Sequence, residues 1–316
     1  MAADVTNLTE TYSRLSKAHI LPRLNAITLC NRSYEGDARN SSKVIITTDT
    51  RPTGKAGDIG RDGDWPSPVE VGTEKDELDI DQDPASSLRI PWLDAYDVPV
   101  SNLVNRGAEW NARRLAEYID EDVYSVMLGG VAAGNKQTLG DASNFIAANG
   151  MRTGTEADGY IADALRDMQT ALQVANLMDT GTVEYRWRCD ISPAHFRALQ
   201  DWLLESDQQI TRDWKNEIVR TSGLVSGSYR YSIFDFDIYV TNQIPTVAIG
   251  GKAHSQMIFS NPRATTIAFG DPLAQLFVPQ NNTSDKSGWL MRERMHYGRK
   301  VVDNRFIYSR QVRTEA

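Results

Sequence analysis

A chain of 316 residues with 41% hydrophobic content is long enough for one large domain or two ordinary ones and apolar enough to bury a core. No apolar run approaches the roughly eighteen residues of a membrane span, and the start MAADVTNLTETYSRLSKAH lacks a charged stretch followed by an apolar one. Neither a membrane helix nor a signal peptide is therefore expected, and the chain is expected to stay in the cytosol where it is made. Cys30 and Cys189 are too few and too far apart for a disulfide framework. The net charge of −8 is unevenly spread. Residues 58–83 carry ten acids against two bases, whereas residues 286–316 carry eight bases against three acids.

In chain order, residues 1–35 are polar, with spaced apolar positions (Ile20, Leu21, Leu24, Ile27, Leu29) too sparse for a core of their own, and read as an arm that lies on something else. KVIITTD (residues 43–49) and LDIDQDPASSLRIPW (78–92) read as extended. Between them lies a Gly-, Pro- and Asp-rich stretch far longer than the usual connection of about 4 to 6 residues. After Pro99 the period changes. Leu103, Val104, Ala108, Ala112, Leu115, Ile119, Val123, Val126 and Met127 recur at three- and four-residue steps, giving a helix of about 27 residues that stops at Gly129-Gly130, with Glu109/Arg113 pairing on the wet side.

A second helix is expected in TEADGYIADALRDMQTALQVANLM, started by Thr155 and Asp158. A strand follows in which Tyr185, Trp187, Cys189 and Ile191 alternate with Arg186, Arg188 and Asp190, and Ser192-Pro193 caps the helix AHFRALQDWLLE. FDFDIYVTNQIP (234–245) alternates as a strand with Phe234, Phe236, Ile238 and Val240 inward, and stops at Pro245. SQMIFS reads as a strand, NPRATTIAF as a helix capped by Asn261 with Pro262 in its first turn, and KVVDNRFIYSRQV as strand.

The residues offer little catalytic chemistry. His19, His195, His254 and His296 fall in four different elements without metal-ligand spacing. GGVAAGNK has Asn135 where a phosphate loop needs lysine, and DIGRDG has Gly60 at a calcium-ligand position. Glu117, Asp120, Glu121 and Asp122 point in different directions on a helix and read as a wet face. No nucleophile elbow or Cys/His pair stands out, so no enzyme, no cofactor and no metal is expected. The basic 286–316 segment belongs to an acidic protein, a poor general DNA binder, and Tyr297, Phe306 and Tyr308 read as core.

The order of these parts resembles the major capsid protein of tailed double-stranded DNA bacteriophages, the Hong Kong 97-type fold. The likeness rests on ILPRLNAITLCNRSYEGDARN as arm and entry, SNLVNRGAEWNARRLAEYIDEDVYSVML as spine helix, RCDISPAHFRALQD as axial strand and helix, and SGLVSGSYRYSIFDFDIYVTNQIP as the approach to a strand ending in Asn and Pro. It is a likeness of order and pattern over nearly the whole chain. It implies an α+β fold with an N-terminal arm (1–35), an extended two-stranded loop (36–99), a peripheral domain with the spine helix (100–130 and 246–300) and an axial domain (131–245) to which 301–316 returns.

The implied role is a coat subunit that forms pentamers and hexamers of an icosahedral shell around the phage genome, without tight sequence-specific DNA binding. Scaffolding protein, portal and decoration protein are the implied partners, no membrane is involved, and the location is the virion, assembled in the host bacterial cytoplasm. A loop as long as 50–77 gains its order from contacts outside its own subunit. The expected subunit interface sets Asp58, Asp62, Asp64, Glu70, Glu74, Asp76 and Glu77, with Trp65 as aromatic anchor, against Arg292, Arg294, Arg299 and Lys300 of a neighbour. Lys55 and Lys75 have no matching acceptor motif, so no covalent cross-link is expected. Two other classes stay open: an encapsulin-like protein compartment, and a soluble enzyme with residues 50–77 as an active-site lid.

Overall fold

The apolar stripe from Val104 to Met127 builds one helix of 31 residues, Val100–Gly130, whose buried side is packed by strands from distant parts of the chain. The computed structural model describes residues 12, 19–20, 24–38, 42–49, 73–91, 100–140, 145–147, 151–153, 160–175, 177–178, 186–205, 229–270, 273–277 and 288–314. Its elements are α1 (Ala26–Leu29), α2 (Glu35–Ala38), β1 (Lys43–Asp49), β2 (Thr73–Asp79), β3 (Ala85–Pro91), α3 (Val100–Gly130), β4 (Lys136–Leu139), β5 (Phe145–Ile146), β6 (Arg152–Thr153) and α4 (Tyr160–Val174). They continue with β7 (Trp187–Ile191), α5 (Pro193–Glu205), β8 (Tyr229–Ile233), β9 (Phe236–Val240), β10 (Val247–Ile249), β11 (Lys252–Ser260), β12 (Thr265–Phe269), β13 (Leu273–Phe277), β14 (Gly288–Arg294), β15 (Tyr297–Val301) and β16 (Ile307–Arg313).

Helix α3 buries Val104, Ala108, Ala112, Leu115, Ile119, Val123 and Met127, and the expected arm residues Ile20, Leu24 and Leu29 join the same core with Ile267, Tyr297 and Ile307. The arm thus covers apolar surface that it could not have buried alone. Gly107 sits where α3 meets β14: a Cβ there would fall well inside contact distance of the Met291 thioether, so the end of that flexible side chain would have to move aside.

A seven-stranded mixed sheet runs in the order β4-β16-β11-β7-β9-β8, with β10 also paired to β11. The β16–β4 and β7–β9 pairs are parallel and the others antiparallel. Helices α4 and α5 cover its apolar face: Ile161, Leu165, Met168, Leu172 and Leu199 pack with Trp187, Cys189, Ile191, Phe236, Ile238, Phe259 and Val312. Ser192 caps α5 as expected, its Oγ accepting from the His195 N–H at 3.3 Å. The Thr155/Asp158 start of the second helix lies outside the described residues.

All five residues of β7 are buried, Arg188 and Asp190 included; their side of the sheet lies against α3. Two expectations are corrected. Residues 234 and 235 are not strand but the two-residue turn of the β8–β9 hairpin, with φ of 49° and 65°, the left-handed pair that matches strand twist. Phe234 still packs against the core beneath it. The Asn261-Pro262 start leads to a strand and not a helix: Asn261 Oδ1 and its carbonyl accept from the N–H groups of Arg263 and Ala264, closing a turn, and the β-branched run Thr265-Thr266-Ile267 then pairs with β15.

Candidate functional site

The extended loop starts from a ribbon in which β1 and β2 pair in register from Lys43↔Asp79 to Asp49↔Thr73. Alternation puts Val44, Ile46 and Leu78 inward, where they pack with Ala268, Tyr34, Ile80 and Val302. Ile45 on the other side is 62% exposed. Beyond β2 the chain lies along β15: Gln82 exchanges both backbone hydrogen bonds with Tyr297, and Gly298 passes so close to the Asp79 carbonyl that any Cβ would overlap it.

Along this strap the acids meet bases of their own chain. Lys300 Nζ reaches Asp76 Oδ1 at 2.5 Å and the Glu77 carbonyl at 3.0 Å, and Lys43 Nζ reaches Glu77 at 2.9 Å and Asp79 at 3.5 Å. Arg299 pairs with Asp81 at 3.3 Å and donates to Asp122 of α3 at 2.9 Å; Arg294 approaches Asp83 at 3.4 Å. The hydrogen bond from Lys300 holds the Asp76 carboxyl below its ordinary range, and that from Lys43 does the same for Glu77. Burial and the hydrogen bond it donates to Asp122 push the Tyr297 hydroxyl far up, so it stays protonated.

A second polar group is buried where the large sheet crosses α3. Arg188 grips Asp190 through Nε at 2.9 and 2.8 Å and Nη2 at 2.6 Å, donates from Nη1 to Thr28 Oγ1 at 2.6 Å, and lies 3.6 Å from the Tyr239 ring centre. Tyr124 of α3 donates to Asp190 at 2.9 Å. Nearer the start of α3, Asn111 donates to the Tyr12 hydroxyl at 3.0 Å and accepts from Ser86 at 2.8 Å, fastening the arm to the helix and β3.

On the outer side of α3, Arg106, Trp110, Arg114 and Tyr118 succeed one another at four-residue steps and are all exposed, Trp110 by 59% and Tyr118 by 53%. Arg113 beside them turns to Glu117 at 2.8 Å.

Of the expected interface residues, Asp58, Asp62, Asp64, Trp65 and Glu70 lie outside the described residues, and of Glu74 only the strand backbone is described. Asp76, Glu77, Arg294, Arg299 and Lys300 come together at the base of the loop within one chain, while Arg292 is exposed on β14. The acidic run on α3 is only partly a wet face: Asp120 is buried, accepting from the Asn25 N–H at 3.0 Å, and Asp122 is held by Arg299 and Tyr297. The missed elements are the Arg188–Asp190 pair and the α3 ridge; for the ridge the available signal was Arg and aromatic residues recurring every four positions on the wet side. Among the described residues no three metal-binding side chains are grouped, and no helix is long and apolar enough to cross a membrane.

The profile of a family described as phage capsid protein matches residues 93–309. Among solved structures, one from Mycobacterium phage Che8 is 19% identical, with 91% of each chain covered and a TM-score of 0.57. The capsid of Ralstonia phage GP4 is 12% identical, with 90% of this chain and 87% of that one covered and a TM-score of 0.56. A virus-like particle from Pyrococcus furiosus is 14% identical, covering 95% and 98%, with a TM-score of 0.53. No curated protein matches the chain by sequence.

Proposed function

Because the chain belongs to the phage capsid protein family, we propose that it closes into pentamers and hexamers of an icosahedral shell that encloses double-stranded DNA, made and assembled in the cytoplasm of a host bacterium. As a major capsid protein it is a structural component of the virion capsid. The observation that carries the assembly reading is the β1–β2 ribbon, which lays one face on its own subunit and turns Ile45 outward at the root of a long acidic segment. Such a ribbon gains further order from contacts outside its chain.

In this reading Lys300, Arg299 and Arg294 anchor the loop base through Asp76, Asp81 and Asp83, with Arg292 beside them, and Asp58, Asp62, Asp64, Trp65, Glu70 and Glu74 reach the neighbouring subunit. Scaffolding protein, portal and decoration protein are the further partners the reading calls for. The likeness to the Pyrococcus furiosus particle supports a second reading, a compartment shell holding protein cargo.

Negative-stain microscopy and sedimentation of the expressed chain, with and without phage infection, test the proposal. Closed particles are expected; only monomers or dimers under both conditions would refute it. Nucleic acid inside particles from infected cells favours the capsid, and a protein cargo in its place favours the compartment.

A further inference from the structure

Tyr12 of the arm is held in a polar hole and not in an apolar one. Ser86 of β3 and Glu293 of β14 stand directly opposite each other in the strand register, on the same face of the sheet as Met291. Asn111 of α3 lies one helical turn beyond Gly107, where the helix comes close to Met291. Ser86 Oγ donates to Asn111 Oδ1 at 2.8 Å, which turns the amide so that its Nδ2 donates to the Tyr12 hydroxyl at 3.0 Å. Tyr12 and Asn111 are wholly buried, and Glu293 and Ser86 nearly so. Burial first, and then the neighbouring Glu293 carboxylate, raises the Tyr12 hydroxyl far above its ordinary pKa, so it keeps its proton and stays a donor as well as an acceptor.

We propose that Ser86, Asn111 and Glu293 form a binding socket for a para-substituted phenol, whose resident ligand is the tethered side chain of Tyr12 and which takes a free phenol in its place. The walls come from β3, α3 and β14 and none from the arm, so the socket does not depend on its ligand for its construction. Its chemistry selects a hydroxyl carried on a ring. A buried carboxylate and amide are costly to set against plain hydrocarbon, and a site built to hydrogen-bond a hydroxyl rejects the analogue that lacks one. The arm has too few apolar residues for a core of its own, so its docking rests on separate anchors of this kind. Seating Tyr12 ties the arm, α3 and the β3–β14 pair together at one point. Withdrawing it frees the arm there and leaves Asn111 without its acceptor. The inference goes beyond the capsid reading and applies to the free subunit.

The test is urea denaturation of the full chain carrying Tyr12→Ala, alone, with p-cresol, which is the free form of the tyrosine side chain, and with toluene, the same ring without the hydroxyl. The truncation leaves a ring-sized hole. p-Cresol should fill it saturably and raise the folded-to-unfolded ratio about tenfold at ten times its half-saturating concentration. Toluene should bind about tenfold more weakly. Wild type, with its socket filled, should gain nothing from p-cresol, and adding Asn111→Leu to Tyr12→Ala should erase the preference for p-cresol over toluene. Equal binding of the two rings, equal stabilisation of wild type and Tyr12→Ala, or no stabilisation by p-cresol overturns the inference. Tyr12→Phe keeps the ring and covers the case in which the truncated chain does not fold: it should lower the folded-to-unfolded ratio about tenfold and not respond to p-cresol. A Tyr12→Phe chain as stable as wild type shows that the hydroxyl is not recognised and overturns the inference as well. None of these outcomes bears on the capsid reading, which the assembly experiment decides.

Discussion

Arg188 and Asp190 stand two apart on β7 and therefore share a face, and both are buried with Tyr124 and Thr28 closing their remaining hydrogen bonds. Such a pair stabilises little relative to an apolar replacement of both members, but removing one strands the other's charge. Arg188→Met is expected to lower unfolding free energy by about 3 to 5 kcal/mol, and the double replacement Arg188→Met/Asp190→Leu to cost clearly less, as read by urea denaturation. His195 gives a different dependence. It is fully buried, and burial pulls its pKa from 6.5 down to about 4. Below pH 6.5 the unfolded chain takes up a proton that the folded one refuses, so the stability present above pH 6.5 declines as the pH falls toward 4, by about 3 kcal/mol in all. His195→Leu should flatten the stability profile over that window, and an unchanged slope would show that His195 does not titrate as described.

Among the elements, the strap over β15 is the one most open to test. Gly298 admits the Asp79 carbonyl where no side chain fits, so Gly298→Ala is expected to lift the strap and cost about 1 to 3 kcal/mol. Hydrogen exchange at Gln82 and Tyr297 should accelerate, because their paired amides hold the strap down. Much at this scale was legible in the chain itself. The Val104–Met127 stripe, the KVIITTD strand and the Ser192-Pro193 helix start each carry their whole signal locally, in period or cap. NPRATTIAF misleads because Asn-Pro opens a turn as readily as a helix, and the choice is made by the distant strand β15. The alternation of Arg188 and Asp190 gives no warning of burial, since only the distant Tyr124 shows that the polar side is covered. The ridge on α3 escapes for the opposite reason: a wet helix face bears no required period, so its composition is the only clue.

For the whole molecule, the loop should change its exposure on assembly. Protease is expected to cut free subunits within residues 50–77 and to spare the same bonds in the shell; equal cutting in both would place the loop outside the subunit contact. Trp65→Ala should leave the subunit folded and weaken the shell, measured as a lower denaturant midpoint for particle dissociation.

Strand β16 lies between β4 and β11, and Thr138 hydrogen-bonds to Gln311 across 173 positions. The order of synthesis then matters. Contacts this distant in sequence form late, and a nascent chain that has passed Ser260 but not yet Ile307 presents β11 and β4 without the strand that joins them. The large sheet cannot complete itself on the ribosome until residue 313 has emerged. A chain interrupted before Ile307 is thereby expected to leave β4 and β11 unjoined and to be degraded before it can enter a shell.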